Sequence, residues 1–444
     1  MICPSCKSKN DDGAEACFTC GRALTALTQG ALIASRYEVQ KPVGRGGMGM
    51  VYRAHDRMLD EIVAIKVLRA ELAGTSEAAQ RFRSEIKLAR KVSHRNVCRI
   101  HEYGEDGGVR YISMEYVEGT DVKQILRDGG LTIEEAFEVC IQVADGLQAI
   151  HEVGIIHRDM KTPNIMLMRD QAQRPVIRLM DFGIAKFETS NTGGLTSTGQ
   201  IMGTPEYMSP EQCLGEKIDH RSDVYAAGVV TYEIFTGQVP YKGDTAVATL
   251  FKHIQDPIPV EGPAAARLPP SLIPVIRHAL AKNRADRFKS AHDMATALRE
   301  AYTQFKAGPP PDQSRTGSAP AAAASPTPSH EERRRDTRLD IFANFKLRRM
   351  DSQGDVLQEE RTIAENVGRG GARLCTSMAS LGPGDVVVIE EVGGPNKDEP
   401  FTTRAEVRNS YLGKDNIRRL NLRFLDRSAP KHLVVEEDAK SSRR

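Results

Sequence analysis

This 444-residue chain has no apolar run near the ~20 residues that a membrane-spanning helix requires. Its first residues are polar and carry cysteines, unlike the apolar centre of a secretory signal. Both absences point to a cytoplasmic protein without a membrane span. An excess of one charge is also missing. The 61 Lys and Arg nearly balance the 59 Asp and Glu, for a net charge of +2. No global field therefore draws in nucleic acid or an anionic membrane. The eight cysteines are too unevenly placed for a disulfide framework. Four stand in the first twenty residues, while Cys98, Cys140, Cys213 and Cys375 are scattered and read as inert core thiols.

The length implies two or three domains. Composition places a Cys-rich module at 1–24, a linker at 25–35 and a mixed strand and helix region over 36–305. Within that region, Tyr37–Val39, Val51–Tyr52, Ile62–Leu68, Arg99–Tyr103 and Val109–Tyr116 read as strands. Glu77–Val92 and Ile133–His151 read as helices, and the pattern after Ser209 is mainly helical. Residues 306–330 are rich in Pro, Ala and Ser and cannot bury enough apolar surface to order themselves, so they read as a disordered tether. Short β-type runs at Val386–Ile389, Ala405–Val407 and Leu420–Phe424 suggest a small β domain over 331–428, with a tail at 429–444.

Five strings in the middle region carry the chemistry. They are Gly44-Arg45-Gly46-Gly47-Met48-Gly49-Met50-Val51, Ala64-Ile65-Lys66, His157-Arg158-Asp159 with Asn164, Asp181-Phe182-Gly183 and Ser209-Pro210-Glu211. A Gly-rich turn between strands lets backbone amides approach phosphates. A lysine on the next strand adds positive charge, and Asn and Asp oxygens suit Mg²⁺. In this order the strings resemble a bacterial Hanks-type Ser/Thr protein kinase, which implies an α+β bilobal fold, ATP and Mg²⁺.

The resemblance implies catalytic roles for Asp159, Lys66, Lys161 and Glu85. Asp159 would accept or orient the substrate hydroxyl proton. Lys66 would meet the α/β-phosphates, held by Glu85 from the following helix. Lys161 would contact the transferred phosphate and favours Ser/Thr acceptors. Asn164 and Asp181 would hold Mg²⁺. Val43, Val51, Ala64 and Met166 would enclose adenine, with Met114 behind it and the backbone of Glu115 and Val117 on its edge. Thr204 would buttress Asp159 and Lys161, Glu211 would pair with Arg287, and Asp223 would hold the catalytic loop. Thr196 and Thr198 would be autophosphorylated and answer to Arg158. The implied partners are protein substrates, with a transient dimer for autophosphorylation. The competing reading is a non-catalytic nucleotide-binding scaffold that recruits partners through its flanks.

The flanks carry two further patterns. Cys3-x-x-Cys6, ten residues, then Cys17-x-x-Cys20 has the spacing of a tetrahedral Zn²⁺ site, so 1–24 reads as a zinc ribbon. Lys7, Lys9 and Arg22 are offset by Asp11, Asp12 and Glu15, which weighs against nucleic acid. Arg334 and Arg338, then Asn366 and Gly371, resemble the signature of a PilZ domain, a small β-barrel that binds cyclic di-GMP. Gly368 stands where that family has Ser, which removes a hydroxyl donor.

Overall fold

The structure is a computed structural model. It describes residues 8–9, 27–46, 49–68, 76–107, 109–182, 204–263, 265–308, 343–351, 355–368, 370–392, 400–413, 417–426 and 429. The elements run β1 (Leu32–Ile33), β2 (Tyr37–Gly46), β3 (Gly49–Asp56), β4 (Glu61–Leu68), α1 (Ser76–Ala89), β5 (Ile100–Asp106), β6 (Val109–Glu115) and β7 (Thr120–Asp121). Next come α2 (Val122–Arg127), α3 (Ile133–Glu152), β8 (Ile165–Arg169), β9 (Pro175–Leu179), α4 (Pro210–Cys213), α5 (His220–Thr236), α6 (Ala246–Gln255), α7 (Ile273–Ala279) and α8 (Ala291–Ala307). Six strands follow: β10 (Ala343–Met350), β11 (Val356–Gly368), β12 (Gly371–Thr376), β13 (Val386–Glu391), β14 (Thr402–Leu412) and β15 (Arg418–Phe424). The chain forms two compact units. One holds residues 1–125, 145–158 and 162–188, and the other holds 126–144, 159–161 and 189–444.

The first unit is built on a six-stranded sheet in the order β1-β2-β3-β4-β6-β5. Tyr37, Val39, Tyr52, Ala54, Val63 and Ile65 bury one of its faces. Alternation along β2 to β4 puts these side chains on the same side. Residues 27–33, read from sequence as linker, are tied to this sheet. Ile33 pairs with Tyr37 and is buried, and the Leu27 amide donates to the Tyr52 hydroxyl at 3.0 Å.

The second unit contains α4 to α8 and a closed barrel ordered β10-β11-β12-β15-β14-β13. Closure leaves no open sheet edge to template aggregation. Phe345, Leu347, Ala364, Leu374, Val387, Ile389 and Leu420 fill its interior. Six strands replace the three short runs legible in the sequence.

The helical part of this unit buries a polar cluster around His253 on α6. Its Nδ1 lies 2.8 Å from the Tyr225 hydroxyl, and the Lys282 ammonium donates to the His253 carbonyl at 2.8 Å and sits over the Tyr241 ring. Burial, aided by the Lys282 charge, pushes the His253 imidazole down to about 3. Burial likewise lowers the Lys282 ammonium to about 7, opposed by the Asp256 carboxylate. In the unfolded chain His253 would titrate near ~6.5, so below that pH the unfolded form binds the extra proton. Stability should therefore fall as pH drops from about 6.5 towards about 3. The Lys282 contribution runs the same way at higher pH, rising from about 7 towards the ordinary lysine range. Urea midpoints across pH 4.5–7.5 check this, and His253→Gln should flatten the acid limb.

Candidate active site

β2 and β3 pair as Gly44↔Val51 and Gly46↔Gly49, and β3 and β4 pair as Val51↔Lys66. The Gly-rich turn thus lies beside the lysine strand. Gly47 and Met48 lie outside the described residues, and only the backbone of Arg45 is described. Gly49 has φ +149°, and a Cβ there would sit 1.8 Å from the Val67 carbonyl oxygen. Gly49→Ala should push β3 off β4 beside Lys66. Misplacement of this kind should cost about a hundredfold in kcat/KM for ATP, read by steady-state kinetics.

Lys66 is 3% exposed, and its Nζ donates to Asp181 Oδ1 at 2.7 Å. This corrects one expectation, because the partner is Asp181 and not Glu85. The half-buried Glu85 carboxyl is pushed up by burial and pulled back by the charge of Arg158. Arg158 and Asp181 both hold left-handed backbone conformations, φ 66° and 58°. Non-glycine residues rarely adopt these, and such strain concentrates at working sites. Asn164 ends a single 3₁₀ turn, and its carbonyl accepts from the Met180 amide at 2.9 Å. That bond sets the Asn164 backbone next to Asp181. One Asn amide oxygen and one carboxylate are hard donors that fit a Mg²⁺ ion, and Lys66 fits a phosphate.

The residues expected around a purine belong to the same unit. Ala64 pairs with Met114 across β4 and β6, and both are buried. Val117 is buried, Val43 is exposed, and Val51, Met166 and Glu115 are half-buried. Met50 is half-buried as well. The Glu115 amide donates to the Arg99 carbonyl at 2.9 Å, and its carbonyl accepts from the Cys98 thiol at 3.7 Å. Its carboxylate takes the Arg178 Nε at 3.0 Å.

In the second unit, Lys161 Nζ lies 2.9 Å from Asp159 Oδ2 and donates to Thr204 Oγ1 at 3.2 Å. The ammonium bridges a carboxylate and a hydroxyl, the buttress expected of Thr204. Ser209 caps α4 in a reciprocal capping box with Gln212. Glu211 forms two bonds with Arg287, at 2.7 and 2.8 Å, and accepts from Ser222 Oγ at 2.6 Å. Asp223 is buried on α5. The Glu85–Arg158 approach and the His253–Lys282 cluster have no signal in the sequence, because spacing along a helix does not say which charge a carboxylate will face.

Residues 37–302 match the protein kinase domain family. The chain belongs to that family. The kinase domain is similar to serine/threonine-protein kinase pkn3 of Myxococcus xanthus, 40% identical over 61% of this chain and 50% of the relative. It is also similar to a probable serine/threonine-protein kinase PknB of Corynebacterium glutamicum, 39% identical over 60% of this chain and 42% of the relative. PknB of Mycolicibacterium smegmatis is 36% identical over 69% of this chain and 51% of its own length. The chain thus spans about half the length of these relatives. Among the described residues, no helix is long and apolar enough to cross a membrane, and no group of three or more His, Cys, Asp or Glu side chains is placed to hold a metal ion. Cys3, Cys6, Cys17, Cys20, Thr196, Thr198, Arg334 and Arg338 lie outside the described residues.

Proposed function

We propose that the chain is an ATP- and Mg²⁺-dependent kinase that phosphorylates Ser and Thr hydroxyls of proteins. The observation that carries this is the pairing of buried Lys66 with Asp181, the residue next to the backbone partner of Asn164. Asp159, Lys161 and Thr204 form the complementary constellation. Phosphoryl transfer needs positioning and charge neutralisation rather than covalent help from the protein. Lys66 binds the α/β-phosphates. Asn164 and Asp181 hold Mg²⁺, which neutralises phosphate charge when bound. Asp159 accepts the proton of the acceptor hydroxyl as its oxygen bonds to the γ-phosphorus. The bond from that phosphorus to the β-phosphate oxygen breaks, and ADP carries the electron pair. Lys161 screens charge on the moving phosphoryl group.

Autophosphorylation of Thr196 and Thr198, whose phosphates would answer to the Arg158 charge, belongs to the same reading. Incubation with ATP and Mg²⁺ followed by phosphosite mapping tests both points. Phosphate on those threonines is expected, and a chain that takes up no phosphate would return the scaffold reading.

The flanks complete the proposal. Cys3, Cys6, Cys17 and Cys20 hold a structural Zn²⁺, because a module of this size lacks a core of its own. Metal analysis should find one zinc per chain. The closed six-stranded barrel supports a PilZ-like reading of the C-terminal region. Asn366 pairs with Arg373, and Gly368 pairs with Gly371 at the end of the β11–β12 hairpin. A Cβ on Gly371 would meet the Leu422 carbonyl oxygen at 2.2 Å, so that glycine also serves packing. Cyclic di-GMP is the proposed ligand of Arg334, Arg338, Asn366 and Gly371. Titration calorimetry of the full chain decides it, and no heat at high micromolar ligand defeats it.

A further inference from the structure

Ile363, Cys375 and Ile417 are buried, yet none belongs to the barrel interior. β11 and β12 turn Ala364 and Leu374 inward. Their neighbours Ile363 and Cys375 therefore project from the outer wall. An apolar side chain on the outside of a small barrel meets water unless something covers it. The cover here is the helical part of the kinase domain. The three residues share one apolar cluster with Met208 and Leu214 and with Leu250, Phe251 and Ile254 of α6.

Polar groups border this cluster. Gln255 at the end of α6 donates through Nε2 to the Arg361 carbonyl at 2.8 Å. The Arg361 guanidinium forms an ion pair with Glu216. On the barrel wall, Arg419 pairs with Glu365 at 2.8 Å, both largely buried. An apolar centre with a polar rim is the anatomy of a specific interface.

Its location gives it a consequence. Thr204 holds Lys161, which pairs with Asp159. Four residues lead from Thr204 to Met208, a reach of at most ~14 Å. The apolar cluster that the barrel wall joins therefore begins, at Met208, within ~14 Å of Thr204 and so flanks the ground where an acceptor hydroxyl must arrive.

We propose that the α6 face and the strip around Met208 and Leu214 form a docking surface for protein substrates, and that the barrel occupies it in cis as a cap. This rests on the kinase reading above. A short peptide needs only the ground at Asp159, whereas a macromolecular substrate must also cross the flanking face. The cap therefore discriminates by size. Covalent attachment makes the competition intramolecular, which favours the capped form without demanding a tight interface.

The test uses the full-length chain and two acceptors, β-casein and a short Ser/Thr peptide, with hydrogen exchange on α6 as an independent readout. Ile363→Asp with Ile417→Asp places charge on the outer wall and leaves the barrel interior untouched. Glu216→Arg repels Arg361, and Glu216→Arg with Arg361→Glu restores the pair with reversed signs. Exchange in α6 should speed up in the first two variants and return in the third. Casein phosphorylation should rise at least about fivefold, the scale of an intramolecular coupling, while the peptide rate changes little. Unchanged α6 exchange overturns the docking. Faster α6 exchange with an unchanged casein rate overturns the cap. Failure of every form to phosphorylate either acceptor overturns the kinase reading and the cap's role with it, while exchange still reports whether the barrel docks.

Discussion

Asp159→Asn should lower phosphate incorporation by about two to four orders of magnitude, the range for loss of a positioned proton acceptor. The amide keeps the shape of the carboxylate but cannot take up the hydroxyl proton. It also leaves Lys161 without the carboxylate that now lies 2.9 Å from its Nζ. Binding of ATP should be nearly unchanged, because Lys66, Asn164 and Asp181 keep their arrangement. The informative readout is therefore a collapse of kcat with a steady KM for ATP. Thr204→Ala makes a useful companion. It removes the second anchor of Lys161 and spares Asp159, so its loss of activity should be smaller. Equal phosphate incorporation by wild type and Asp159→Asn would remove Asp159 from the chemistry.

The site was legible in the sequence to the extent that chemistry restricts residue type. Lys66, Asn164, Asp159, Lys161 and Asp181 are the kinds of group that phosphate, Mg²⁺ and a hydroxyl proton demand, and short motifs preserve their spacing. Glu85 was less legible, because its partner depends on the placement of α1 and not on sequence. The hairpin at 32–37 has no turn signature in the sequence, because its turn uses Ala34 and Ser35 at φ 51° and 53°, with neither Gly nor Asn to mark it. β11 was obscured by charge. Glu360 is buried and accepts from the hydroxyls of Thr376 and Ser377, and Ile363 faces outward under a cover from elsewhere. Both break the alternation by which a strand is recognised.

Arg287→Met should destabilise the helical part of the kinase domain by about 3–5 kcal/mol, the cost of stranding a buried charge. The Arg287 side chain is fully buried and saturated. It grips both oxygens of Glu211, donates to the carbonyls of Ala281, Arg221 and Lys282, and lies over the Tyr225 ring. Burial alone would push the Glu211 carboxyl up, but the Arg287 bonds and charge and the Ser222 hydroxyl outweigh it and hold it below the usual glutamate range. Its contribution to stability is thus present above the unfolded pKa of ~4.3 and lost as pH falls through the lower folded value. Replacing both partners, Glu211→Leu with Arg287→Met, should recover most of the stability, since a buried ion pair repays little more than its own desolvation. Activity should not recover with it. Glu211 lies seven residues beyond Thr204, and its clamp on Arg287 fixes the far end of the segment that positions Lys161. Denaturation midpoints and kcat on the single and double variants separate these effects. Recovery of stability and turnover together would show that the pair only fills space; recovery of stability alone assigns it to holding the acceptor side of the site.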